Sequence, residues 1–179
     1  MLNAEESVLI VIDAQGKLAR VVENSEFALG QIKKMILGMQ ALKVPIILTA
    51  QVPEKLGSTV PEIAELLSEH EEISRTAFSA YREVQLMVKL SEMGRTQVLL
   101  CGFEAHICLY QTALDLLGAG CEVFYVVDAI SSRFAQNKDI AVAQVAASGI
   151  KLTTVEMALF EILRDARHPA FKSIAKIIK

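Results

Sequence analysis

The residue best equipped for covalent chemistry in this chain is a cysteine. Cys108 lies in LLCGFEAHICLYQTALDLL, where an apolar run ends in a glycine-containing loop and a helix-compatible stretch begins. A thiol in the first turn of a helix meets free backbone N–H groups and the positive end of the helix dipole, and both favour the thiolate. Two other residues end apolar runs in the same way: Asp13 in VLIVIDAQ and Arg75 in EEISRTAFSAY. A carboxylate beside a thiol can take its proton and return it to a leaving group, while a guanidinium stabilises the thiolate. Together they would equip the chain for nucleophilic attack on a carbon centre. Taken singly, each has a plainer use. Cys108 would be a small buried hydrophobe like Cys101 and Cys121, Asp13 a turn or helix cap, and Arg75 an ion-pair partner.

Other chemistries find less support. His106 stands two residues before Cys108, and i,i+2 positions do not face one another on a helix, so a Cys-His dyad is disfavoured. Asp128, ending the fifth apolar run in VVDAISSR, reads equally well as a turn or helix cap and as a substrate contact. The 3 histidines, at 70, 106 and 168, show no metal-ligand spacing, and the 3 cysteines fit neither a disulfide framework nor a CxxC site. No metal and no cofactor are expected: the first strand is followed by DAQGKLA rather than a glycine-rich phosphate loop. With 18 Lys and Arg against 21 Asp and Glu, a net charge of −3 argues against nucleic acid or an anionic membrane as partner.

These residues need a scaffold, and the hydrophobic pattern supplies one. Short runs rich in Val, Ile and Leu at 8–13, 45–50, 71–75, 97–101, 122–127 and 151–154 read as six strands. Between and after them, 26–42, 60–69, 82–93, 107–118, 136–148, 155–165 and 169–178 carry apolar residues at helical intervals. Alternation of this kind predicts an α/β fold: one domain over 1–179, three layers, a doubly wound and mainly parallel sheet of Rossmann-like form. In such a sheet, ligands bind beyond the carboxyl ends of the strands, where Asp13, Arg75 and Cys108 all fall. The tail 169–179 reads as an amphipathic helix packed on the domain or on a neighbouring subunit. A chain that is 53% hydrophobic, with mean hydropathy +0.39, is expected to bury apolar surface in a homo-oligomer, a dimer or a multiple of one. The apolar run SVLIVI is too short for a signal peptide or a spanning helix, so a cytoplasmic protein is expected.

The chain resembles the isochorismatase-like cysteine hydrolases, through VLIVIDAQ, RTAFSAY, CGFEAHICLYQTALDLLGAGCEVFYVVDAISSR and LRDARHPAFKSIAKIIK. TAQVPEKLGSTVPEI and the tail are most similar to the subgroup called isochorismatase domain-containing proteins. The resemblance implies an isochorismatase-like hydrolase fold and an Asp-Lys-Cys triad, with Asp13 as the aspartate and Cys108 as the nucleophile. Arg75 stands at the lysine position, and arginine holds its proton too firmly to transfer it. The resemblance further implies a cis peptide between Phe103 and Glu104, and an oxyanion hole formed by the backbone N–H groups of Glu104 and Cys108. Gln15, Phe78, Phe103 and His106 are the expected pocket residues. The stretch matching the metal-binding segment of nicotinamidases, TAQVPEKLG, has no histidine, and true isochorismatases carry glycine where this chain has Cys108. A metal-independent hydrolase of a small amide-like substrate is therefore expected. The alternative is a catalytically impaired member with a structural or binding role.

Overall fold

The first strand shows why the chain folds as it does. In SVLIVI, β1 (Ser7–Ile12), every residue is buried. Val8, Ile10 and Ile12 enter one hydrophobic layer, and Leu9 and Val11 enter the other. An uninterrupted apolar run is what a parallel strand covered on both faces requires. The computed structural model describes residues 1–179. The remaining strands are β2 (Ile46–Gln51), β3 (Glu72–Arg75), β4 (Gln97–Phe103), β5 (Glu122–Ser131) and β6 (Lys151–Thr153). All pairings are parallel, in the order β3-β2-β1-β4-β5-β6. Helices α1 (Leu18–Val21), α2 (Ser25–Ala41), α3 (Pro53–Leu56) and α4 (Pro61–Ala64) occupy the first part of the chain. They are followed by α5 (Val84–Met93), α6 (Tyr110–Gly118), α7 (Ala135–Ala147), α8 (Val155–Leu163) and α9 (Phe171–Ile178).

Two cores sandwich the sheet. One lies under α2, α4, α8 and α9, through residues such as Ile32, Met35, Ile63, Leu159 and Ile174. The other lies under α5, α6 and α7, through Leu86, Leu90, Leu116 and Val145. This is the single-domain, three-layer, doubly wound architecture that the hydrophobic pattern predicts. The strand order reverses between β1 and β4, which places the switch point beside Asp13 and the loop leading to Cys108. No helix is long and apolar enough to cross a membrane.

Boundaries differ from expectation where tertiary contacts intervene. β5 continues to Ser131, past the predicted end at 127, because pairing with β4 resumes at Gly102↔Ile130 after a register irregularity. Asp128 therefore does not end the strand. Its carboxylate accepts from Gln31 Nε2 at 2.7 Å and from the Val155 N–H at 2.9 Å, holding α2 to the start of α8. The segment 60–69 divides into α4 and a 3-10 turn over Glu65–Leu67. The tail helix α9 packs on α2 and α8 of its own chain, with Ile174 fully buried and Lys34 Nζ donating to the Ile178 carbonyl at 2.8 Å.

Candidate active site

Where β1 ends, the backbone turns sharply, placing Asp13 in the left-handed region at φ 50°. On the neighbouring strand, a Cβ at Gly102 would lie 1.9 Å from the Ile12 carbonyl oxygen, so only glycine lets β4 press this close to β1. Arg75, the last residue of β3, pairs in register with Gln51, the last residue of β2. Its side chain reaches past β2, and Nη2 donates to Asp13 Oδ2 at 2.5 Å, joining residues 62 apart in sequence. Arg75 Nη1 donates to the Ala77 carbonyl. Both members of the ion pair are almost wholly shielded from water. Asp13 Oδ1 and Arg75 Nε are buried with no hydrogen-bond partner.

Cys108 adjoins this pair. It lies in a wide π-type turn, Ala105–Leu109, that precedes α6, and it is 5% exposed. Its thiol donates to Gln51 Oε1 at 3.7 Å. Asp13 and Arg75 both act on it: burial first, then the Asp13 carboxylate, push the thiol up to about 12, while the Arg75 guanidinium pulls the other way. This runs against the effect expected from the helix terminus alone. Desolvation of the charged form outweighs the cation and the helix terminus. Burial likewise raises the Asp13 carboxyl, opposed by Arg75. The structure thus brings a thiol, a carboxylate with one unpaired oxygen and a fixed cation to the switch point.

The peptide between Phe103 and Glu104 is cis. The Glu104 N–H donates to no acceptor in the chain. The Glu104 carboxylate is held by the Arg133 N–H at 3.0 Å and by Arg133 Nε at 3.1 Å.

The four expected pocket residues fare differently. The Phe103 side chain is fully buried in the core under α2, because it ends β4 with its ring on that face. Gln15 is also buried, and its amide is used up by backbone. Its Nε2 donates to the carbonyls of Gln51 at 3.0 Å and Gly57 at 2.7 Å, and its Oε1 accepts from the Gln51 N–H at 2.7 Å. His106 turns to Ser132 Oγ at 2.9 Å and Asn137 Nδ2 at 3.3 Å, beside a cavity of about 280 Å³ lined also by Tyr110 and Ile140. Phe78, half exposed, follows the Ala77 carbonyl that anchors Arg75. Gln51 is the residue that sequence reasoning missed. The same rule that picked out Asp13 and Arg75 applies to it, since it ends the second apolar run. No group of three or more His, Cys, Asp and Glu side chains comes together to hold a metal ion.

A family model described as Isochorismatase domain matches residues 7–157. Isochorismatase domain-containing protein 2A of Mus musculus is 40% identical over 178 residues, covering 98% of this chain and 84% of that protein. The structure of the MAR1 ribonuclease from Caenorhabditis elegans superposes with a TM-score of 0.92 at 34% identity, covering 99% of this chain and 91% of that one. The octameric YcaC hydrolase of unknown specificity from Escherichia coli shares the fold, with a TM-score of 0.92 at 20% identity over 98% of this chain and 89% of that one.

Proposed function

Since the chain belongs to the isochorismatase family of hydrolases, we propose that it is a metal-independent cysteine hydrolase of a small amide-like substrate, acting in the cytoplasm through Asp13, Arg75 and Cys108. The observation that carries this reading is the unpaired Asp13 Oδ1, held by the buried Arg75 ion pair next to the Cys108 thiol. An unsatisfied buried acceptor costs about 1–3 kcal/mol and is tolerated where it has a use. Here its use is to receive a proton.

The reaction then runs in two halves. Asp13 takes the Cys108 proton as Sγ attacks the substrate carbonyl carbon, and the displaced electron pair makes an oxyanion. The N–H groups of Glu104 and Cys108 receive that oxyanion; the former has no competing acceptor. Collapse breaks the C–N bond, and the amine leaves with the proton returned by Asp13, giving a thioester. Water, losing its proton to Asp13, attacks the thioester, and the carboxylic acid departs as the thiolate is reprotonated. Arg75 keeps its proton throughout. It fixes the Asp13 carboxylate and balances the charge that develops on sulfur.

The same feature favours a second reading: with arginine at the lysine position, the protein keeps the fold but is catalytically impaired, serving a structural or binding role. Intact-mass measurement after incubation with a panel of small amides decides between them. Hydrolysis with a transient acyl adduct on Cys108, lost in Cys108→Ala, is the expected result. An adduct that forms stoichiometrically without turnover supports the second reading, and turnover unaffected by Cys108→Ala overturns the first. The assembly proposed is a closed homo-oligomer. It is supported by the strongly exposed Phe27, Phe134 and Ile140 and by the octameric relative, and light scattering at micromolar concentration tests it.

A further inference from the structure

Gln51 is fastened at its backbone and loose at its tip. The Gln15 side chain, itself buried, clamps both the N–H and the C=O of Gln51 at 2.7 and 3.0 Å. The next residue, Val52, is held at φ 41°, a region that β-branched residues rarely enter, with its N–H bound to the Arg75 carbonyl at 3.0 Å. The direction in which the Gln51 side chain leaves the sheet is therefore fixed. Its carboxamide, by contrast, makes two long contacts. Nε2 reaches the Thr76 carbonyl at 3.3 Å, and Oε1 receives the Cys108 thiol at 3.7 Å. Gln51 is half-buried, whereas Cys108 beneath it is 5% exposed. A carboxamide in contact with a nearly closed thiol is placed to control what reaches that thiol.

We infer that Gln51 is the access and positioning residue of the Cys108 site: its carboxamide caps the thiol at rest and swings off its Thr76 and Cys108 contacts to admit a substrate carbonyl. This rests on the reading of Cys108 as nucleophile. Because the anchor lies in the backbone, the swing changes side-chain torsions alone and leaves the Gln15 clamp and the Asp13–Arg75 pair in place. Two weak contacts oppose it, and water replaces both once the amide is exposed. The cap also sets selectivity, since ligands able to replace its carbonyl acceptor or its N–H donor compete best.

The test compares alkylation of Cys108 by a small neutral reagent, iodoacetamide, and a bulkier one, N-ethylmaleimide, in the intact protein, with the modified peptide identified by mass. A change in thiol pKa multiplies both rates equally, because both reagents consume the thiolate. Only a change in access alters their ratio. In Gln51→Ala, the N-ethylmaleimide rate relative to iodoacetamide is expected to rise on the order of tenfold, the factor that loss of one weak closing contact represents. Gln51→Asn, which keeps an amide too short to cover Sγ, is expected to show the same shift and guards against misfolding of the alanine variant. An unchanged ratio in the two variants overturns the inference, whether both rates rise together or neither does. Failure of the hydrolase reading is separately visible as turnover that survives Cys108→Ala, whereas the reagent ratio is read only in chains that keep Cys108.

Discussion

The two ends of the sheet are built from similar polar residues and treat them in opposite ways. At the amino end, Gln97 is buried and fully engaged. Its Oε1 accepts from the Asn3 N–H at 2.8 Å and Ser7 Oγ at 3.2 Å, and its Nε2 donates to the Met1 carbonyl at 2.9 Å and Glu122 Oε2 at 2.6 Å. Arg95 closes the same end through the carbonyls of Ala4 and Ser7. At the carboxyl end, Asp13 Oδ1, Thr49 Oγ1, Arg75 Nε and Ser79 Oγ are buried without partners, and Asp13 and Val52 sit at positive φ. Each such feature costs on the order of 1–3 kcal/mol. The amino rim has such an atom in His70 Nδ1 and such a backbone position in Lys43, so unsatisfied polar atoms are concentrated at the carboxyl rim, where the proposed chemistry is placed.

The largest expected effect would sharpen that contrast. Cys108→Ala should lower amide turnover by at least about 10³-fold while shifting stability by no more than about 1–2 kcal/mol, measured by steady-state kinetics and urea unfolding. A large loss of stability with activity retained would place Cys108 among the structural residues. Arg75→Ala comes next. It strands the buried Asp13 carboxylate and should destabilise the fold by about 3–5 kcal/mol, whereas Arg75→Lys, which keeps the charge, should lose markedly less. It should also slow Cys108 alkylation at neutral pH, because Arg75 is the neighbour that lowers the thiol's pKa.

At the other rim, Gln97→Leu leaves several groups unpaired and should cost about 2–3 kcal/mol in urea unfolding. Alkylation of Cys108 should be unchanged in this variant, and a change would break the division between the rims. The smallest effect is in the pH dependence of stability. Burial and the Asp13 carboxylate push the folded Cys108 thiol up to about 12, above the value of about 8.5 for an unfolded cysteine, so between these values the unfolded chain releases a proton that the folded one keeps. Stability due to this group is thus complete below about pH 8.5 and is lost as pH rises, by about 1–2 kcal/mol at pH 10. Cys101, buried in the middle of β4, acts in the same direction. Cys108→Ala should flatten the alkaline slope of urea-unfolding free energy only in part.

Much of this was written in local sequence. Apolar runs such as VLIVI and QVLLC read as buried parallel strands because they are short, rich in Val, Ile and Leu, and alternate with longer helix-compatible stretches. Residues terminating those runs fall at the carboxyl rim for the same reason, so Asp13, Arg75 and the neighbourhood of Cys108 were all legible. What a linear pattern does not encode is how deep a group is buried or which way it turns. Burial, with the Asp13 carboxylate beside it, pushes the Cys108 thiol up, against the effect expected from its helix alone. Phe103, Gln15 and His106 point to the core, to backbone and to Ser132, according to which face of the sheet or turn each occupies. The extension of β5 depends on a register irregularity against β4, and the contact between the Cys108 thiol and Gln51 depends on the end of β2 meeting the turn that follows β4. Strand identity follows from the periodicity of a few consecutive residues, but protonation and orientation depend on groups distant in sequence, and only the folded chain brings those together.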